Sequence, residues 1–99
     1  MYEIRFAESV SKDLEKIPAH YRNAILDAIE RHLSQTPGRE SRKRKILLSL
    51  VPSFEAVPPV WELRVGNYRV FYDVDEEARI VFVRLVRKKP PHLTTEDII

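Results

Sequence analysis

Cysteine is absent from this 99-residue chain, and glycine occurs only twice. Without thiols there is no disulfide, no cysteine-ligated zinc and no thiolate nucleophile, and a reducing cytoplasm suits such a chain. Two glycines exclude a collagen-like repeat or a flexible glycine linker. No apolar run approaches the roughly 20 residues of a membrane-spanning helix, so no membrane partner is expected. Glu3 and Arg5 interrupt the first residues and no apolar stretch follows, so no signal peptide is expected. The three histidines match no metal-ligand spacing. A glycine-rich phosphate loop and a G-x-S-x-G elbow are both missing, so neither metal nor cofactor is expected. Charge of one sign is lacking too, since 17 basic and 15 acidic residues leave a formal +2.

What is present suffices for one core. The chain is 43% hydrophobic with 9% aromatics, and residues 1–99 are expected to form one domain. The charge is unevenly spread. Residues 1–35 sum to −1, 36–72 to +4, 73–79 to −3, 80–93 to +4 and 94–99 to −2. If the two basic blocks meet in the fold, they make a local field that attracts phosphates. Each block alone reads equally well as a solvated surface.

Tyr2, Ile4 and Phe6 alternate with Glu3 and Arg5, the pattern of a half-buried strand. Val10, Leu14 and Ile17 recur at helical spacing up to Pro18. A second helix is expected over 19–35, with a stripe of Tyr21, Ala24, Ile25, Ala28, Ile29, His32 and Leu33, ended by Thr36-Pro37-Gly38. Strands are expected over 45–51, 60–65, 68–74 and 80–86, and the three prolines of 52–59 make that stretch a loop. A short terminal helix over 94–99 would be capped by Thr94 or Thr95. The fold class is therefore α+β, with an N-terminal strand and an αα-hairpin packed on a twisted, mostly antiparallel β-sheet.

Gly66-Asn67 is a two-residue hairpin turn, and glycine in first place suits type II′. Such a turn pairs Val65 with Tyr68, Arg64 with Arg69, Leu63 with Val70 and Glu62 with Phe71. Trp61, Leu63, Val65, Tyr68, Val70 and Tyr72 then share the core face. Glu62, Arg64, Arg69 and Phe71 share the other. Two arginines directly opposite each other cost stability, by several tenths of a kcal/mol or so. Either Glu62 and solvent offset the cost or an anion does, and arginine is well suited to bidentate phosphate contacts. Parity makes Trp61 a core residue rather than a base-stacking platform. Phe71 reads equally as a stacking platform or as sheet packing.

The run Trp61-Glu62-Leu63-Arg64-Val65-Gly66-Asn67-Tyr68-Arg69-Val70-Phe71-Tyr72, following an αα-hairpin that holds Lys12-Asp13-Leu14-Glu15-Lys16-Ile17-Pro18, resembles the RelE/ParE superfamily of type II toxin–antitoxin toxins over roughly residues 2–90. The resemblance implies a toxin held inactive by a cognate antitoxin protein. RelE-like members cleave messenger RNA in the ribosomal A site without a metal. ParE-like members poison DNA gyrase, and a third possibility is a non-catalytic, decayed toxin serving as a binding module. For a ribosome-dependent endoribonuclease, the resemblance makes Arg69 the phosphate-binding cation, with Arg64 adding charge and Lys89, in Arg87-Lys88-Lys89, standing where relatives carry a second cation. The run Arg42-Lys43-Arg44-Lys45 lies near the region that touches ribosomal RNA, and reads equally as a solubilising loop. The chain also departs from the pattern. Val60 and Glu62 stand where nucleases often carry lysines, and no tyrosine follows Tyr72. That leaves Glu62 as candidate base and His92 as candidate acid, against the plainer reading of His92 as an exposed loop histidine. His20 opens a helix, and His32 reads as a partly buried packing residue.

Overall fold

The computed structural model describes residues 1–99. The elements run β1 (Glu3–Phe6), α1 (Glu8–Glu15), α2 (Ala19–Leu33), β2 (Arg44–Leu47), β3 (Val60–Val65), β4 (Tyr68–Asp75), β5 (Ile80–Lys88) and α3 (Thr95–Ile98). The five strands form one sheet in the order β1-β5-β4-β3-β2. Only the β1–β5 contact is parallel. None of the helices is long and apolar enough to cross a membrane.

The αα-hairpin covers one face. Val10 and Leu14 of α1 and Ile25, Ala28, Ile29 and Leu33 of α2 pack onto Trp61, Leu63, Val70, Tyr72, Val81, Val83 and Val86. Each set follows the period of its own element, 3.6 for the helices and 2 for the strands. Tyr72 is fully buried, and its hydroxyl donates to the Pro37 carbonyl at 2.6 Å, which ties the end of the helical layer to the sheet. Truncating Leu63, at 0% exposure, to alanine would cost about 2–5 kcal/mol.

The opposite face carries a smaller apolar cluster of Val60, Phe71 and Leu85. It is covered by the 47–56 segment and by Ile98 and Ile99 of the tail. Phe71 is fully buried and meets Phe54 with ring centroids 6.1 Å apart. Its role is therefore packing, and it offers no stacking platform. Asp73, 2% exposed, fastens the same covering. It accepts from the Val57 N–H at 3.1 Å and from Arg84 Nε at 2.7 Å.

Several boundaries differ from the sequence expectation. The expected 45–51 strand is only Arg44–Leu47, because nothing pairs with its outer edge and β3 begins at Val60 opposite Leu47. α2 ends at Leu33, two residues early. β5 runs on to Lys88, so Arg87 and Lys88 lie within the sheet. Tyr21 and Phe6 are 47% and 42% exposed, although periodicity placed both in the core. The pairing with β4 slips between Phe71 and Tyr72, an irregularity opposite Arg84.

Candidate functional site

The hairpin sets the site. Gly66 has φ +57° while Asn67 does not enter the left-handed region, as a type II′ turn requires. The register is the one the turn dictates, with Arg64 opposite Arg69 and Glu62 opposite Phe71. On the far side of β4, Arg69 stands opposite Arg87. On the far side of β3, the Arg64 N–H donates to the Lys43 carbonyl at 2.7 Å. Arg64, Arg69 and Arg87 thus form a row of cations across β3, β4 and β5, and Lys43, just before β2, extends it. Sequence reasoning found the central pair and named Lys43 within the basic run, but did not place it opposite Arg64, because no tight turn fixes the register of β2.

The members of the row are in different circumstances. Arg69 is buried, at 7% exposure. Its Nη1 donates to the Gly66 and Tyr68 carbonyls, both at 2.8 Å, and so closes the turn from beneath. Its Nε is buried with no acceptor. Burial lowers the Arg69 pKa and the neighbouring Arg64 lowers it further, while the Glu62 carboxylate opposes them. Arg64 and Lys43 are exposed, and neither is in an ion pair. Arg87 is committed to Asp13 of α1 at 3.0 Å.

Glu62 lies on the same face, 5% exposed, and accepts from the Thr95 hydroxyl at 2.5 Å. Thr95 begins α3, whose N-terminus is closed by a capping box in which the Thr94 N–H donates to Asp97 at 2.9 Å. Local sequence offered no sign of the Thr95–Glu62 contact, since the two residues are 33 apart. His92 is exposed, three positions before Thr95, and makes no hydrogen bond to Glu62 or Arg69.

The basic run divides as well. Arg42, Lys43 and Lys45 are exposed, whereas Arg44 is buried. Arg44 Nε donates to the Arg39 carbonyl at 2.8 Å, and Nη1 sits 2.9 Å from His32 Nδ1. A cleft lined by His32, Ser41, Arg42, Lys43, Arg44 and Arg64 contains no acidic side chain. Lys88 is exposed, and the Lys89 N–H donates to the Asn67 carbonyl at 2.6 Å, which holds the chain after β5 against the turn. Arg84, counted by sequence with the free positive charge, is instead paired with Asp73, and Glu55 lies 3.7 Å away. The geometry brings together Arg64, Arg69, Glu62 and Lys43, with Lys88 and Lys89 beside the turn. It takes Arg44, Arg84 and Arg87 into internal pairs.

Comparison with known proteins follows the same lines. The family described as the ParE toxin of the type II toxin–antitoxin system parDE matches residues 4–89. No curated protein matches significantly in sequence. Among solved structures, the toxin–antitoxin complex RelBE2 from Mycobacterium tuberculosis superposes with TM-score 0.71 at 26% identity, covering 89% of this chain and 98% of that one. The archaeal RelE–RelB complex from Pyrococcus horikoshii gives 0.71 at 18% identity, covering 93% and 98%. The isolated RelE toxin of E. coli gives 0.65 at 24%, covering 98% and 94%.

Proposed function

The chain belongs to the RelE/ParE superfamily of type II toxin–antitoxin toxins, and from that premise we propose that it is a ribosome-dependent endoribonuclease that cuts messenger RNA and halts translation. The observation that carries this reading is the buried, unpartnered Nε of Arg69. Leaving a buried N–H without an acceptor costs about 1–3 kcal/mol, and a phosphate oxygen would satisfy it. Arg64 and Lys43 extend the positive charge along the row, as a phosphodiester strand requires.

The chemistry is transphosphorylation. The 2′-oxygen attacks the adjacent phosphorus, the bond to the 5′-oxygen breaks, and a 2′,3′-cyclic phosphate remains. Arg69 and Arg64 stabilise charge on the non-bridging oxygens. A carboxylate takes the 2′-hydroxyl proton, and Glu62 is the buried carboxylate on this face that is not held in an ion pair. It serves only after Thr95 releases it. His92, on the same tail, delivers the proton to the leaving 5′-oxygen. An antitoxin would present acidic residues to the cationic row, consistent with the toxin–antitoxin complexes among the structural neighbours.

The test is to mix the purified chain with ribosomes programmed with a defined messenger and map 5′ ends by primer extension. A-site cleavage that disappears in Arg69→Ala is the expected result. No cleavage by folded protein refutes the nuclease reading. The family match to ParE, together with the lack of a tyrosine after Tyr72, would then favour gyrase as the target, to be read in a supercoiling assay.

A further inference from the structure

The helix-bearing side of the hairpin tip carries a second feature, separate from the arginine row. A cleft of about 280 Å³ opens between the first turns of α2 and the Gly66-Asn67 turn. Its lining includes the apolar Ala24 and Val65, the aromatic Tyr21 and Tyr68, and the polar Asn67 and Lys88. The two tyrosine rings meet at 5.8 Å with a 45° tilt, and Tyr21 remains half-exposed. Neither phenolic hydroxyl, nor the Asn67 amide, nor the Lys88 ammonium hydrogen-bonds to any protein group. The cleft has no acidic lining residue.

We infer that this cleft binds one nucleotide, with its base against the tyrosines and its phosphate at Lys88. Each part of a nucleotide has a counterpart in the cleft. A planar base stacks on a tyrosine face without regard to its identity. The Asn67 side chain offers both a donor and an acceptor, as a base edge demands. A lone ammonium with no carboxylate nearby complements a phosphate. The volume lies just under the roughly 300–1,000 Å³ of drug-sized pockets, which suits one base and excludes two. A nucleotide here is either a free monophosphate or one unit of an RNA strand that turns round the hairpin tip. The strand source rests on the nuclease reading given above, whereas the site itself does not.

The experiment is an NMR titration of the full ¹⁵N-labelled chain with AMP, UMP, adenosine and inorganic phosphate, and with a single-stranded RNA tetranucleotide. Both monophosphates are expected to move the amide signals of Ala24, Gly66, Asn67 and Tyr68, with adenosine and phosphate each binding about ten-fold more weakly or worse. Tyr21→Ala and Lys88→Ala should each weaken AMP about ten-fold, and Tyr21→Phe should retain it. A tetranucleotide that binds tighter than AMP identifies an RNA strand, and equal affinity identifies a free nucleotide. Shifts confined to Arg64 and Arg69, or AMP affinity unchanged in a folded Tyr21→Ala chain, overturn the site. This readout does not depend on cleavage, so its failure leaves the nuclease reading standing, and the reverse also holds.

Discussion

At Arg69 one end of the guanidinium closes the β3–β4 turn, while Nε stays buried with nothing to bond. The two turn-closing hydrogen bonds contribute about 0.5–1.5 kcal/mol each, and burying the guanidinium with Nε unbonded costs a comparable amount. Arg69→Met is therefore expected to leave the unfolding free energy within about 1 kcal/mol of the parent, or to raise it, while abolishing cleavage. Urea denaturation checks this, and a loss beyond about 2 kcal/mol would make Arg69 a structural residue. His32 supplies a second prediction at this scale. Burial, and then the Arg44 charge beside its ring, hold its pKa below the usual 6.5. Between its folded and ordinary values the unfolded chain binds more protons, so stability is full above about pH 6.5 and declines as pH falls toward the folded value. His32→Gln should flatten that part of the stability–pH profile. An unchanged slope would show that other groups cause it.

Among the elements, the hairpin was the most legible in the sequence, because a two-residue turn fixes register and register fixes faces. The pairing of Arg64 with Arg69, and the division of Trp61 and Leu63 from Glu62, follow from Gly66-Asn67. The capped terminal helix was legible as well, from Thr94 and Asp97. What was not legible depends on contacts between elements distant along the chain. Asp13 and Arg87 are separated by 74 positions, and no local pattern marks them as an ion pair. The exposure of Tyr21 follows from how α2 is seated on the sheet rather than from its periodicity. The buried Asp73–Arg84 pair belongs here too, since it fastens the proline-rich segment to β4 through Val57. Removing the carboxylate in Asp73→Ala strands Arg84 with only the exposed Glu55 for company. The expected loss is about 3 kcal/mol in chemical denaturation, and a loss under about 1 kcal/mol would show that the pair contributes little.

Over the whole molecule, a formal charge of +2 conceals a polarised surface. Lys43, Arg64, Lys88 and Lys89 gather around the hairpin tip, while the acidic 73–79 turn lies at the other end of β4. The antitoxin complex is accordingly expected to weaken with salt, because the Debye length falls from about 10 Å at 0.1 M to about 3 Å at 1 M. Calorimetry at two ionic strengths should show at least a several-fold rise in dissociation constant, and salt-independent affinity would remove the electrostatic part of the account. The central claim remains that the unbonded Nε of Arg69 serves a phosphate. Its most direct measurement is the single-turnover rate of cleavage of ribosome-bound messenger by Arg69→Lys, which keeps the charge and loses the Nε donor. A fall of about 10²–10³-fold with the fold intact is the result the account predicts. A rate equal to the parent's would contradict it.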